Sequence, residues 1–248
     1  MNLIEKVKNN PEAKSLIAAA NNNLSALRYT EHGFRHMGFV SHNTMKILKE
    51  LGYDEHTQEL GLIAGYLHDV GNAICRKNHG LTGAMLVYPL LQKIGMEQKD
   101  IEIIVSAIGN HEEEYGVPIN AVGAALIIAD KSDAHRTRVH MKDFDKDDIH
   151  DRVNYSIKKN IVTINREKKE IASRFYMDNS SSVMDFFRIY FSRIDLSDKA
   201  AELLHCSYRL YINDVLINSP KPISAKQISQ IVDDADTIIL KDENGNKV

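Results

Sequence analysis

The chain has 248 residues, with a hydrophobic fraction of 43% and a charged fraction of 26%. These values are typical of a globular protein and exclude a disordered or fibrous chain. A chain of this length can bury about three quarters of the surface that it exposes when unfolded, so folding requires no disulfide or metal staple. The net charge of -3 argues against broad binding of a nucleic-acid polymer, which requires a basic face.

The cysteines and the apolar segments indicate the cellular setting. Cys75 and Cys206 are far apart and form no CxxC motif, so neither a disulfide framework nor a thiolate zinc site is predicted. The N-terminus lacks the continuous apolar region of a secretory signal. No segment approaches the roughly 20 apolar residues that span a bilayer. We therefore expect a cytoplasmic protein with no membrane partner.

Apolar residues recur at helical intervals from the N-terminus to about residue 142. Gly, Pro, Asn and Asp, which favour turns, occupy the connections between the periodic segments. The predicted helices cover residues 11–27, a segment that ends at Gly52, 57–70, 80–94, 98–110 and 119–135. We predict a mainly α protein in which residues 1–142 form an all-helical bundle.

The pattern changes after the acidic stretch KDFDKDDIHD, and residues 143–248 are predicted to form a smaller C-terminal α+β subdomain. Alternating apolar and polar residues at 152–165 and 168–178 predict an antiparallel hairpin, which would serve packing or association into a homodimer. The remaining predictions are two helices at about 181–194 and 197–206, a strand at 207–217, a tail helix at 224–233 and a tail strand at 237–241.

Residues 61–80, GLIAGYLHDVGNAICRKNHG, place an imidazole beside a carboxylate at the end of an apolar helix. Further histidine and aspartate residues lie near other predicted helix ends or on helix faces, so a helical bundle could direct all of these side chains at one metal centre. The complete candidate set is His36, His68, Asp69, His79, His111 and Asp130. Imidazole and carboxylate donors without thiolates suit divalent Fe, Mn, Zn, Co or Ni.

Six such ligands are too many for one tetrahedral ion with an open position, but they suit two ions. If Asp69 bridges the ions, one would be held by His36, His68 and Asp130, and the other by His79 and His111. Two ions at such a distance can activate a bridging hydroxide and stabilise phosphoryl charge. For the His68-Asp69 pair alone, the structural alternative is a capping aspartate beside a partly buried histidine.

The ordered set resembles the H...HD...H...H...D pattern of the HD-domain superfamily of metal-dependent phosphohydrolases. The resemblance covers about residues 28–138, with HDVG at its centre and NHE and ADK near its end. It implies an all-helical HD fold, a divalent metal centre and hydrolysis of phosphoesters, often of nucleotides. The HD-GYP type of cyclic-dinucleotide phosphodiesterase has a lysine where this chain has Asn72, and residues 115–118, YGVP, match its GYP motif only loosely. Cyclic di-GMP is therefore not the expected substrate.

Several charged residues near these ligands are candidates for catalysis and for substrate binding. Asp69 would hold the ions together, Lys131 would stabilise a leaving group or a phosphate, and Asp133 would orient Lys131 or Arg136. The candidate phosphate-binding cations are Arg35, Arg76, Lys131, Arg136 and Arg138. Guanidinium groups suit phosphate oxygens, although ion pairs with nearby acidic residues are the structural alternative for Arg136 and Arg138.

These observations predict a metal-dependent phosphohydrolase. It would cleave a phosphomonoester or phosphodiester, with a nucleotide as the small-molecule substrate, by attack of a metal-bound hydroxide. Two alternatives use the same residues. An HD-type di-iron oxygenase would bind iron and consume oxygen, and a nucleotide-sensing binding module would pass a signal through the C-terminal subdomain.

Overall fold

The computed structural model describes residues 2–218. The N-terminal part of the described chain is helical, as predicted, and the small strands follow only after it. Its helices are α1 (Leu3–Asn9), α2 (Pro11–Ala26), α3 (Phe34–Leu51), α4 (Glu55–Leu67), α5 (His79–Lys93), α6 (Gln98–Gly109) and α7 (Ala121–Lys131). The prediction of a helical bundle is confirmed.

Local sequence signals set several helix ends. The Asn10, Asp54 and Asn120 side chains accept hydrogen bonds from backbone N–H groups in the first turns of α2, α4 and α7, respectively. Such caps satisfy N–H groups that have no partner within the helix. Helix α3 ends at Gly52, whose φ of 89° lies in the left-handed region that glycine adopts without strain.

Helix α7 is the central element of the bundle. Every residue from Val122 to Ala129 is buried, and a helix that is apolar on all sides has to lie within a core. It packs against α3, α4 and α6. Helices α3 and α4 also approach closely, because a Cβ atom on Gly65 would lie only 2.6 Å from the Cα atom of Ser41. This packing brings the ends of α4 and α7 together.

The described residues of the C-terminal part form a small sheet and two α-helices. Its elements are α8 (Ile149–Ser156), β1 (Ile157–Asn165), β2 (Glu170–Met177), α9 (Val183–Leu203), β3 (Ser207–Ile212) and β4 (Val215–Leu216). The strand order is β1-β2-β3-β4, with β1 antiparallel to β2, β2 parallel to β3 and β3 antiparallel to β4. Helix α9 is the crossover between the parallel strands and packs against α7. These elements are the predicted α+β part.

Three predicted elements differ from the structure. Residues 152–156, predicted as the start of a strand, belong to a helix over 149–156, because the Asp148 side chain caps its first turn by accepting from the N–H groups of His150 and Asp151. The two helices predicted near 181–194 and 197–206 are the single helix α9. The polar Ser197 does not interrupt α9, since its hydroxyl donates to the carbonyl of Arg193 one turn earlier. The tail elements predicted at 224–233 and 237–241 lie outside the described residues.

The helical and sheet-containing parts pack into one compact unit that extends to Ile217. For example, the Lys46 ammonium of α3 donates to the carbonyl oxygen of Val162 in β1 at 2.7 Å. The domain boundary at residue 142 remains a prediction. Among the described residues, no helix combines the length and apolar character needed to cross a membrane.

Candidate metal centre and substrate cavity

The His68-Asp69 pair lies where α4 gives way to a 3-10 turn at Val70–Ala73. This turn packs directly on the beginning of α5. A Cβ atom on Gly71 would overlap the carbonyl oxygen of His79 and would lie 2.5 Å from the backbone nitrogen of Gly83. Glycine is therefore required at position 71, and the close approach brings His79 to the HD pair.

All four candidate histidines have the Nδ1 atom close to an oxygen acceptor. The contacts are His36 to Asp133 Oδ2 at 2.6 Å, His68 to Gly65 O at 3.0 Å, His79 to Arg76 O at 3.0 Å, and His111 to Ile108 O at 2.6 Å. A carbonyl or carboxylate oxygen only accepts, so each Nδ1 carries the donated hydrogen. In a neutral ring, Nε2 is then left with a lone pair, which is the arrangement found in metal-ligating histidines.

The Nε2 atoms face one another and two carboxylates. His36 Nε2 lies 3.2 Å from His68 Nε2, and Asp130 Oδ1 lies 3.4 Å from the first and 3.6 Å from the second. Asp69 is shared between two pairs. Its Oδ2 lies 3.6 Å from His36 and 3.5 Å from His68, whereas its Oδ1 lies 3.1 Å from His79 and 3.6 Å from His111.

The Nε2 lone pairs and the two carboxylates are all hydrogen-bond acceptors, and they repel one another at these distances. A proton or a cation between them is therefore needed. His111 Nε2 is buried and has no hydrogen-bond partner among the described residues. Burial and the Arg138 charge lower the pKa of His36, but hydrogen bonds to nearby carboxylates outweigh them and raise it to about 10. Burial raises the pKa of Asp69, but the surrounding imidazoles hold it well below its ordinary value. The donor set therefore fits divalent metal ions.

Two overlapping groups of donors have atoms that all lie within 4.8 Å of one another. One consists of His36, His68 and Asp130, and the other of His68, Asp69 and His111. His79 adds its Nε2 on the side of His111, and the ring centroids of these two histidines are 5.0 Å apart. The structure thus brings together the six ligands proposed from the sequence. Those ligand roles remain predictions.

Asp133 supports His36, and not Lys131 or Arg136 as the sequence analysis expected. Its carboxylate lies 2.6 Å from His36 Nδ1 and accepts from the Arg35 guanidinium at 3.2 and 2.5 Å. Burial raises the pKa of Asp133, but the Arg138 charge and these contacts hold it below its ordinary value. The Arg35 guanidinium also donates to Glu31 at 2.8 Å. Its charge is therefore paired with two carboxylates of the protein and is not available to a substrate phosphate.

Two further residues support the centre. The Asn72 amide, at the position where HD-GYP proteins have lysine, donates to the Asp69 carbonyl at 3.0 Å and to Asp69 Oδ1 at 3.2 Å. Glu112 accepts from the Gly80 N–H at 2.5 Å and places its second oxygen 3.2 Å from His79 Nδ1. This role of Asn72 was not predicted from the sequence. The position of Glu112, directly after His111 in the NHE motif, was the sequence signal for such a supporting role.

A cavity of about 610 Å³ opens beside these ligands. Asp69, His79 and Asp130 lie in its wall with cationic, acidic and aromatic side chains. The other lining residues are Tyr29, His32, Arg76, Lys77, Glu112, Glu113, Glu114, Lys131, Arg138 and Arg193. Arg76 contacts Asn72 Oδ1 at 3.4 Å and His79 Nε2 at 3.5 Å, and it lies 5.4 Å from the centroid of the Tyr29 ring. In the described chain, Arg76 forms no ion pair with a carboxylate.

The other predicted cations have different surroundings. Lys131 lines the cavity, but its ammonium pairs with Asp130 Oδ2 at 2.7 Å and with Glu113 Oε1 at 3.1 Å. Arg138 also lines it and donates to the Asp133 carbonyl at 2.6 Å. Arg35 and Arg136 are not in its wall. Arg136 instead donates to the Tyr155 carbonyl and to Asp178, each at 2.9 Å.

Comparison with known proteins identifies the domain that carries these ligands. Residues 33–135 match the family model of the HD domain. This match supports the resemblance of residues 33–135 to the HD-domain superfamily of metal-dependent phosphohydrolases. All six candidate ligands fall within the matched residues, and an HD domain implies that a divalent metal binds there.

One relative extends the comparison beyond the domain family. The chain is 31% identical over 134 residues to the uncharacterized protein MJ1020 of Methanocaldococcus jannaschii, an alignment that covers 45% of this chain and 51% of that protein. The chain thus spans about half the length of this relative. No solved structure matches the chain significantly.

Proposed function

We propose that the protein hydrolyses a phosphate ester of the nucleotide class and that its six candidate ligands hold two divalent metal ions. The observation that carries the proposal is the position of Asp69. One of its oxygens faces His36 and His68, and the other faces His79 and His111. A carboxylate shared in this way is suited to bridging two ions.

The cavity supports a phosphate-bearing substrate. Its volume of about 610 Å³ falls within the range of ordinary small-molecule sites. Arg76 offers a guanidinium that no described carboxylate neutralises, and Lys77 lies beside it in the same wall. Guanidinium groups bind phosphate oxygens through paired hydrogen bonds. The nearby Tyr29 ring offers a surface on which a nucleobase would stack.

Specific residues would hold the metal ions, bind the phosphate and orient the ligands. Divalent metal ions, when bound, lower the pKa of a coordinated water and offset charge on a phosphoryl group. Asp133 and three backbone carbonyls hold the Nδ1 protons, so the Nε2 lone pairs stay directed at the centre. Arg76 and Lys77 bind the phosphate. Lys131 orients Asp130, because its ammonium is shared by two carboxylates.

The experiment that tests this function begins with the metal content of the purified protein. Phosphate release from nitrophenyl phosphate and nucleoside monophosphates, and cleavage of dinucleotides to mononucleotides, are then measured in the presence of Mn, Fe, Co, Ni, Mg or Zn. Turnover of a nucleotide supports the proposal. Oxygen consumption by the iron-loaded protein without phosphate release would favour the di-iron oxygenase, and nucleotide binding without turnover would favour the sensor.

The number of ions has its own test. His79→Ala and His111→Ala each remove one donor on the same side of Asp69, so we expect each to lower both metal content and turnover. His42→Ala is the matched control, because His42 is an exposed histidine on α3. A wild-type chain that binds one ion at most and is unaffected by both substitutions would rule out two ions. A cytoplasmic location and a homodimer remain predictions.

A further inference from the structure

Arg193 belongs to α9, well outside residues 33–135 that match the HD domain. It nevertheless lines the same cavity as the candidate ligand Asp130. Its Nε atom lies 3.2 Å from Glu113 Oε1, and 23% of its side chain is exposed. An element of the C-terminal part therefore reaches the wall of the candidate active site.

The Arg193 contact continues through two more charged groups. The same Oε1 atom of Glu113 lies 3.1 Å from Lys131 Nζ, and Lys131 Nζ lies 2.7 Å from Asp130 Oδ2. The Lys131 side chain is only 8% exposed. A nearly buried ammonium needs compensating charge, which Asp130 and Glu113 both provide. The four side chains form one continuous series of ion pairs from α9 to the end of α7.

The series constrains how Asp130 is turned. Lys131 holds Oδ2, and this leaves Oδ1 at 3.4 Å from His36 Nε2 and at 3.6 Å from His68 Nε2. The lysine stem is flexible, so the position of its ammonium depends on its second partner, Glu113. Glu113 in turn lies in the segment between α6 and α7, where Arg193 contacts its carboxylate from α9.

We propose that Arg193 is a positioning residue for the metal ligand Asp130, acting through Glu113 and Lys131. The C-terminal part thereby helps to set the metal affinity of the HD domain. This inference rests on the proposed function only insofar as Asp130 binds a metal, and it does not require that the protein hydrolyse a phosphate ester. Supporting contacts of this kind alter metal affinity by about 10-fold to 100-fold when they are removed from metalloproteins.

The alternative is that Arg193 serves only the packing of α9, because its guanidinium also lies 4.8 Å from the centroid of the Tyr190 ring. The two roles make different predictions. Loss of packing would lower the melting temperature and leave the metal affinity of the folded protein unchanged. Loss of positioning would weaken the affinity and change the visible absorption of bound Co²⁺, which reports the geometry of its ligands.

The test measures the affinity of the full chain for Mn²⁺ by competition with a fluorescent chelator, and the absorption spectrum with Co²⁺. We expect Arg193→Gln and Glu113→Gln each to weaken Mn²⁺ binding by about 10-fold. Because the two residues act in one series, their effects should not add. We expect the double variant to have about the same Mn²⁺ affinity as the single variant with the lower affinity. Arg193→Lys keeps the charge and should restore most of the affinity. Arg188→Gln is the control, since Arg188 lies on α9 and pairs with Asp185 at the surface.

The proposal is overturned if Arg193→Gln binds Mn²⁺ within twofold of the wild type and leaves the Co²⁺ spectrum unchanged, whatever the effect of Glu113→Gln. If Arg193→Gln does not fold, Arg193→Met is measured instead, because it removes the charge and keeps an apolar stem beside the Tyr190 ring. A wild-type chain that binds neither ion would also overturn it. A wild-type chain that binds Mn²⁺ but cleaves neither a phosphomonoester nor a phosphodiester would contradict the proposed hydrolysis alone.

Discussion

His36 and His68 place their Nε2 atoms 3.2 Å apart, while the Nδ1 atom of each ring lies at an oxygen acceptor. Two lone pairs would repel at this distance if both rings were neutral. The Oδ1 atom of Asp130 lies on the same side of both rings, which increases the need for positive charge. A shared proton or a metal ion removes the conflict, and the surrounding helices hold the rings in place for it.

Asp69→Asn should remove the metal. The amide is nearly the same size as the carboxylate, but it lacks the charge that faces both histidine pairs. We expect metal content by elemental analysis to fall close to zero and any phosphate release to fall by at least about 100-fold. Wild-type metal content and turnover in Asp69→Asn would contradict the proposed role, and His42→Gln on the exposed face of α3 is the control.

Metal affinity should increase with pH. Without metal, burial lowers the pKa of His79, but hydrogen bonds to Asp69 and Glu112 raise it to about 9. The pKa of His36 is about 10, because nearby carboxylates outweigh burial and the Arg138 charge. Both rings are therefore protonated at pH 7, and a metal has to displace these protons. Titration calorimetry in two buffers of different ionisation enthalpy should detect proton release, and an affinity that is constant from pH 6.5 to 8.5 would contradict this prediction.

Asp133→Ala should destabilise the fold as well as the centre. The Asp133 side chain is fully buried, and it is the counter-charge for Arg35 and for His36. Removal of one partner from a buried ion pair costs about 3–5 kcal/mol. We expect urea denaturation to show a loss of this size in the free energy of unfolding. Asp195→Ala, which removes an exposed pair with Lys199, should cost less than about 1 kcal/mol.

Arg76→Gln should weaken substrate binding more than it slows the chemical step. The guanidinium has no carboxylate partner in the described chain and lines the cavity, so its charge is available to a phosphate. A hydrogen bond to a charged group contributes about 1.5–3 kcal/mol, which corresponds to a KM higher by about 10-fold or more. Steady-state phosphate release measures both constants. A KM within twofold of the wild type would show that Arg76 only supports Tyr29 and His79 and does not bind the substrate. Arg188→Gln is the control.

The parts of the fold that local sequence predicted well are those with local causes. Apolar periodicity located the bundle helices, and Gly52 marked the end of α3 as expected. Residues 152–156 were predicted as the start of a strand because their apolar residues also alternate, although the Asp148 side chain caps a helix there. Helix α9 was predicted as two helices, whereas the buried residues Leu196 and Ala200 continue one packed face across the predicted break.

The candidate ligands could be found from the sequence because the chemistry requires His and Asp and because their order matches a known pattern. The contacts around these ligands could not be predicted from the sequence. Arg136 follows Asp130 closely in the chain, yet its guanidinium turns to Asp178, since short separation does not determine the direction of a side chain. Arg193 has no local signal at all, because its role depends on the packing of α9 against α7.

The sequence by itself determined the kinds of candidate ligand, the helices that carry them and the resemblance to the HD domain, since all three depend on residue type and on spacing along the chain. Only the tertiary structure decided which nitrogen of each histidine faces the centre and which oxygen of Asp69 faces which pair of rings. It also decided that Asp133 supports His36 and that Arg193 reaches Glu113. These relationships join residues on different helices, and their geometry depends on how the buried faces of those helices pack.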